Sequence, residues 1–335
     1  VEAAASAPPT MKMTTEIPAA ITIADSVETS IGTLTFDDGF PTEETAQKIY
    51  DQLDFQRAVE AVMMNTPGAS VHAFAEDNRE LGPDNQAAII WPRMDSKVQL
   101  LTPNTTVIYL FLWLELSEGP MVMEVPPNVL GIVDDHWFKY VADVGMAGKD
   151  QGKGGKYVFL PPGYEGDVPD GYFVEQSATY GNWLVMRGFL EDGDAAPGLK
   201  NIKDHFKVYP LGETASASKV TYHDISMKYL NTIHASDITF FEHINEIVQH
   251  EPNSAQDPEI LGLLSYIGIE KGMPFEPDAR MRAILKEAAA VGNATARAIT
   301  MNSRAAEAFL YDNSQWKMGF IGGDYRWLRD GGAGG

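Results

Sequence analysis

Between Ala87 and Leu211 the sequence is a succession of short apolar runs, each closed by a turn signal, and few folds accept such a pattern. The runs at 88–91, 106–116, 121–125, 138–144, 157–160, 173–176, 182–190 and 206–209 are rich in Val, Ile, Tyr, Phe and Trp, the residues that suit a pleated surface. Glu118-Gly119-Pro120, Pro126-Pro127-Asn128, Pro161-Pro162-Gly163 and Glu191-Asp192-Gly193-Asp194 separate several of them. Many short strands without long helices between them predict an antiparallel β-sandwich over 85–220 rather than a parallel α/β sheet.

The flanks have a different texture. Residues 1–40 show no helical period and read as an extended arm, with one short strand near 21–31. Over 41–84 the spacing predicts helices packed on the sandwich. A cap and two carboxylates stand at Thr42-Glu43-Glu44, one broken or two successive helices run to Asn65, and another covers 71–81 before Gly82-Pro83. From 221 to 312 the chain reads as a small all-α domain, with Ser236 as a cap, Phe241, Ile244 and Val248 on one face, and a long helix after Pro277-Asp278. The aromatic, glycine-rich stretch at 313–335 reads as the start of another β-domain.

Charge narrows the function classes. Lys and Arg number 25 against 47 Asp and Glu, and the net charge of -22 is spread along the chain. Such a surface repels phosphate backbones and anionic headgroups, which argues against nucleic-acid and membrane partners. The chain has no cysteine, so disulfides, thiolate metal sites and a cysteine nucleophile are excluded. No apolar run approaches the roughly 18 to 20 residues that span a bilayer. The start, VEAAASAPPT, reads either as the stub of a cleaved signal peptide or simply as where the chain begins.

One stretch, GKDQGKGGK at 148–156, resembles a phosphate cradle at first reading. A P-loop needs GxxxxGK followed by Ser or Thr and then a helix. Here Lys153 is followed by Gly154, and the continuation YVFLPP is a strand, so the stretch is read as a flexible connection between strands that presents Lys149, Lys153 and Lys156. His234, His243 and His250 lie in or beside one helical segment without a metal-ligand spacing, which leaves them as polar-face residues of a solvated helix. His136, flanked by Asp134-Asp135 and Trp137, forms a cluster suited to proton transfer or merely a polar loop. No G-x-S-x-G elbow occurs. Tyr109, Trp113, Trp137, Tyr157, Tyr172 and Trp183 offer either core packing or a stacking wall for a sugar-like or aromatic ligand.

Several stretches together carry a family signature. TPNTTVIYLFLWLELSEGPMVMEVPP, DDHWFKYVADVGMAGKDQGKGGKYVFLPPGYEGDVPDGYF and NWLVMRGFL resemble the family called Domain of Unknown Function 1254. The helical stretches LNTIHASDITFFEHINEIVQHEP and IGIEKGMPFEPDARMRAILKEAAAVGNATARAI are similar to the middle of longer proteins in which that domain precedes Domain of Unknown Function 1214. The resemblance runs from about residue 40 onward. It implies a mainly β chain, with an immunoglobulin-like sandwich, a helical domain and the start of a jelly-roll-like domain of which little is present. At Asn104-Thr105-Thr106 this sequence departs from the family, which more usually has Asp between Asn and Thr. Export signals are common in the family, so a periplasmic or secreted location is expected.

The family supplies no reaction. The residues suggest a hydrolase acting on a small or glycan-like substrate in an inter-domain cleft, with Tyr109, His136 and Arg187 as candidate catalytic groups. Asn104, Thr106, Lys153 and Tyr157 are candidate ligand-binding groups, Lys153 and Arg187 being suited to an anionic group. No metal or cofactor is implied, and a homo-oligomer is expected. The competing expectation is a non-catalytic ligand-binding or assembly protein, since β-sandwich folds serve that purpose as readily.

Overall fold

The computed structural model describes residues 17–100 and 103–318. These form a mixed α and β structure with four sheets and five α-helices. None of the described helices is long and apolar enough to cross a membrane. The chain divides into two compact units between residues 53 and 54.

In the first unit, β1 (Ser26–Thr29), β2 (Gly32–Asp37) and β3 (Phe40–Pro41) make a small antiparallel sheet. Part of the expected extended arm is therefore folded, and residues 1–16 lie outside the described residues. Helix α1 (Glu43–Leu81) starts where expected: the Thr42 hydroxyl accepts the Thr45 N–H at 3.3 Å, and Glu43 and Glu44 occupy the first turn.

The second unit contains the β region. Its strands are β4 (Ala87–Trp91), β5 (Val98–Gln99), β6 (Val107–Glu115), β7 (Met121–Val125), β8 (Val129–Asp135), β9 (Tyr140–Gly145), β10 (Gly155–Leu160), β11 (Phe173–Gln176) and β12 (Gly181–Phe189). Helix α2 (Ala196–His205), β13 (Lys207–Pro210), β14 (Thr221–Asp224) and β15 (Leu230–Asn231) follow. One sheet has the order β14-β4-β6-β12-β8-β9 and another β11-β10-β7-β13. Ile108, Leu110, Leu112 and Leu114 of β6 share a core with Met121, Met123, Val125 and Phe159 of the other sheet. The alternate residues of β6, Tyr109, Phe111 and Trp113, pack on the opposite face with Val71, Phe74 and Ala75 of α1. This alternation is the period-2 pattern of a strand buried on both faces.

The strand pairing is not wholly antiparallel, because β10–β11, β4–β14 and β5–β15 run parallel. A parallel neighbour needs a crossover of about a dozen residues, and the segment between Leu160 and Phe173 supplies one. Strand β8 and helix α2 fall in stretches read as connections.

Helix α1 is continuous through Asn65-Thr66-Pro67-Gly68, where a break was expected. Pro67 removes one helical N–H, while Asn65 and Thr66 turn their side chains onto the carbonyls of Ala61 and Val62. Gly68 lets Trp137 approach: a β-carbon at this position would lie 2.7 Å from the indole Cε3. Alanine would gain about 1 kcal/mol of helix propensity, but the contact forces overpacking. Gly68→Ala is expected to destabilise the protein by about 1–3 kcal/mol in urea unfolding; an unchanged midpoint would show that the indole moves freely.

Helices α3 (Thr239–His250), α4 (Pro258–Tyr266) and α5 (Ala279–Met301) form a third core with Ala58, Ala61, Val62 and Ala69 of α1 and with Trp137. A single helix thus serves both the sheet and the helical bundle. The β-domain expected over 313–335 lies outside the described residues beyond 318.

Candidate functional site

The residues singled out in the sequence fall in three places. Asn104, Thr106, Tyr109 and Arg187 come together. Tyr109 and Arg187 are cross-strand partners on β6 and β12, with the guanidinium carbon 5.6 Å from the Tyr109 ring centroid. Trp91 of β4 pairs with Tyr109 on its other side, so an indole, a phenol and a guanidinium form one row across the sheet. The Asn104 side-chain oxygen accepts from the Thr106 N–H and hydroxyl at 3.1 and 3.0 Å, which closes a local turn, and the Asn104 N–H donates to the Tyr109 hydroxyl at 3.0 Å. Arg187 is half-buried, and among the described residues no carboxylate lies within ion-pair distance of it.

Lys153 and Tyr157 lie elsewhere. The stretch 148–156 is a hydrogen-bonded turn rather than an open cradle, because its own Asp150 fills it. That buried carboxylate accepts from Gly145 N–H at 2.8 Å, Gly154 N–H at 3.2 Å and the Tyr157 hydroxyl at 2.5 Å. The Tyr157 hydroxyl is therefore closed inside the core; burial and then the Asp150 hydrogen bond push its pKa up. Lys149 pairs with Glu175 and Lys156 with Glu124, while Lys153 is exposed.

His136 stands at the other end of β8. Asn182 of β12 pairs with Asp135 and Arg187 with Leu130, so the strand separates the arginine row from Asp135, the residue before the histidine, by about 16 Å. His136 belongs to a buried relay built from three segments. Its Nδ1 lies 2.8 Å from Glu251 Oε1 at the end of α3, and its Nε2 lies 3.4 Å from Nδ1 of His72 on α1. His72 Nε2 is 3.0 Å from Glu246 Oε2 on α3. Glu251 also accepts the N–H groups of Tyr180 and Gly181, at 2.6 and 2.9 Å.

Proton order follows from these contacts. Burial, then the nearby His136 and His243, lower His72 to about 3, so its ring is neutral. With its Nε2–H donating to Glu246, the Nδ1 of the neutral His72 carries no proton, and His136 donates its Nδ1–H to the Glu251 carboxylate; a second proton on His136 Nε2, facing His72, would make that ring an imidazolium. The relay therefore runs from the more exposed Glu246 to a carboxylate that is 1 % exposed.

Further groups close around it. Trp113 meets His136 edge-on at 4.8 Å between ring centroids. His243, expected on a solvated face, is half-buried beside His72 at 5.1 Å, with its Nδ1 buried and unbonded. His250 pairs with Glu115 at 3.2 Å. Burial, then Asp135 and Asp143, raise Asp134 to about 8; burial also raises Asp135 to about 6, against the N–H groups of Lys139 and Trp137. His72 and Glu251 escaped the sequence reading. The one local signal was a histidine inside the apolar stretch Val71-His72-Ala73-Phe74-Ala75.

Among the described residues no group of three or more His, Asp or Glu side chains is placed to hold a metal ion. Two shallow surface depressions, one along Glu43 to Asp51 in the first unit and one between Tyr266 and Met281 in the second, contain none of the candidate residues.

With this geometry in view, the β region matches a known family. Residues 85–210 match the family described as Protein of unknown function (DUF1254). The DUF1254 match spans β4 to β13 and so includes the arginine row and His136, while His72, Glu246 and Glu251 lie outside it. It is narrower than the resemblance read from residue 40 onward. No curated protein matches the chain by sequence. The structure is similar to a crystal structure of the VPA0106 protein from Vibrio parahaemolyticus, with a TM-score of 0.55 and 18% identity over 77% of this chain. The chain spans 62% of the length of that structure, and the likeness speaks for the fold alone.

Proposed function

We propose that this protein binds a small anionic ligand, such as a sugar acid or an aromatic carboxylate, at Arg187 without transforming it. One observation carries this reading: in a chain with 47 acidic residues, a half-buried guanidinium lies beside an aromatic row and has no carboxylate partner among the described residues. A partly desolvated cation is stabilised by a bidentate carboxylate, and the adjoining rings suit an apolar or sugar face. A hydrolase needs its groups around one cleft, whereas the candidate residues lie in three separate places. The finer architecture belongs to the same proposal: the two facing sheets support an immunoglobulin-like sandwich.

The test is calorimetric titration with glucuronate, benzoate and their neutral amide or alcohol counterparts. Saturable binding of an acid but not of its neutral counterpart is expected, weakened about tenfold or more by Arg187→Ala. An undetectable wild-type interaction, or one indifferent to the substitution, removes the proposal.

The histidine relay favours a second reading, acid–base catalysis. Turnover of an ester, glycoside or phosphoester that Glu251→Gln abolishes would restore the hydrolase. A periplasmic or secreted location is also proposed, supported by the family resemblance; recovery of the native protein in the cytosolic fraction would count against it.

A further inference from the structure

Ionisable side chains from α1, the β8–β9 hairpin and the end of α3 meet in a buried junction, and we infer that this junction is a proton-gated contact, tight at mildly acidic pH and loosened as pH rises. It stands apart from Arg187 and from the anionic ligand. The geometry is that of three separate segments held together by polar side chains. His136 of the hairpin touches His72 of α1 and Glu251 of α3, and Glu251 holds the Tyr180 and Gly181 amides. Lys271 donates to the Glu251 carbonyl at 2.8 Å, and Lys139 donates to the Ala255 carbonyl and the Gln256 side chain. Trp137 of the hairpin also packs into the helical core.

Each titrating group has identified neighbours. Asp134 faces Asp135 and Asp143, and its Oδ1 is buried without a hydrogen bond. Asp135 faces Lys139 and Glu251. His250 faces Glu115, Glu251 and Arg79, and His72 faces Glu246, His136 and His243.

Asp134, Asp135 and His250 act in one direction, and Glu115 opposes them. Asp134 and Asp135 have raised folded values, about 8 and about 6, so the unfolded chain releases their protons first and the folded contact weakens as pH climbs toward those values. His250 is raised above 6.5, chiefly by its hydrogen bond to Glu115. Its pairing is fully present below 6.5 and lost as pH rises through the folded value. Burial works to raise Glu115, but His250 outweighs it and holds the carboxyl at about 2. That contribution is present above 4.5 and lost only on strong acidification. The two aspartates begin to cost stability above 3.8 while Glu115 contributes fully only above 4.5, so the junction is tightest near these values and weakens steadily from there to about pH 8. His72 stays neutral over this window, so the relay keeps its order.

Hydrogen exchange on the full chain tests this, with rates corrected for the intrinsic effect of pH. From about pH 6 to about pH 8.5, protection of the peptides covering 177–183 and 239–256 should fall about tenfold or more, while β6 in the shared core stays protected. The double substitution Asp134→Asn with Asp135→Asn should keep most of that protection at the higher pH, because asparagine retains the oxygen that accepts from Trp137 and Lys139 N–H. Wild-type protection that does not change with pH, a loss spread equally over β6, or an undiminished loss in a folded double variant would each overturn the inference.

Discussion

Glu251→Ala is expected to destabilise the folded protein by about 2–5 kcal/mol, because several donors lose their one acceptor. Glu251 accepts from two backbone N–H groups and one imidazole, and of these donors His136 and Gly181 are buried. Each buried donor left without an acceptor costs about 1–3 kcal/mol. Relaxation is restricted at Gly181, where a β-carbon would already stand 2.3 Å from Trp113 Cζ2. Glu251→Gln keeps one acceptor oxygen but turns an amide N–H₂ toward donors, so an intermediate loss of about 1–3 kcal/mol is expected. Urea unfolding followed by tryptophan fluorescence distinguishes the cases through the midpoint at constant slope. A loss under about 1 kcal/mol for the alanine variant would mean that the relay does not hold the junction.

Asp134→Asn is expected to stabilise the protein at alkaline pH, although most substitutions in a buried position destabilise. The carboxyl is 2 % exposed, and its neutral form is favoured in the folded state up to about 8, against 3.8 for the ordinary group. Between these values the unfolded chain has released the proton while the folded chain keeps it, so wild-type stability falls as pH rises. Asparagine preserves the shape and removes that slope. At about pH 8 the variant should exceed the wild type by about 1–3 kcal/mol, with the gap closing near pH 4. Thermal or urea unfolding at both pH values measures it, and a variant less stable than wild type at the higher pH contradicts the assignment of Asp134 as a buried neutral acid.

The difference between readable and unreadable features follows the range of the interactions. Strands β6, β7, β10 and β12 were legible because their apolar residues and turns repeat locally. Strand β8 was not, since VLGIVDD carries a central glycine and ends on two acids. Gly131 is there because a β-carbon would lie 2.8 Å from Val144 Cγ2 and 3.1 Å from the Val185 carbonyl, and both neighbours come from other strands. The apparent helix break at Pro67-Gly68 likewise reflects a long-range demand, the close approach of Trp137.

Site chemistry divides in the same way. The residue types at Asn104, Thr106, Tyr109 and Arg187 marked a candidate cluster, but only the register of β6 against β12 places the guanidinium over the phenol. At 148–156 the sequence excluded a nucleotide loop through its spacing, while the fold revealed that Asp150 occupies the ring of N–H donors. His136 was visible as a chemical candidate, yet its partners are 64 and 115 residues away along the chain. By itself the sequence determined a β region between helices, an acidic surface and the family of residues 85–210, because composition, period and turn chemistry are local properties. The tertiary structure alone decided which histidine meets which carboxylate and that Arg187 meets none among the described residues, because burial and pairing depend on segments far apart in sequence whose contact leaves no local signal.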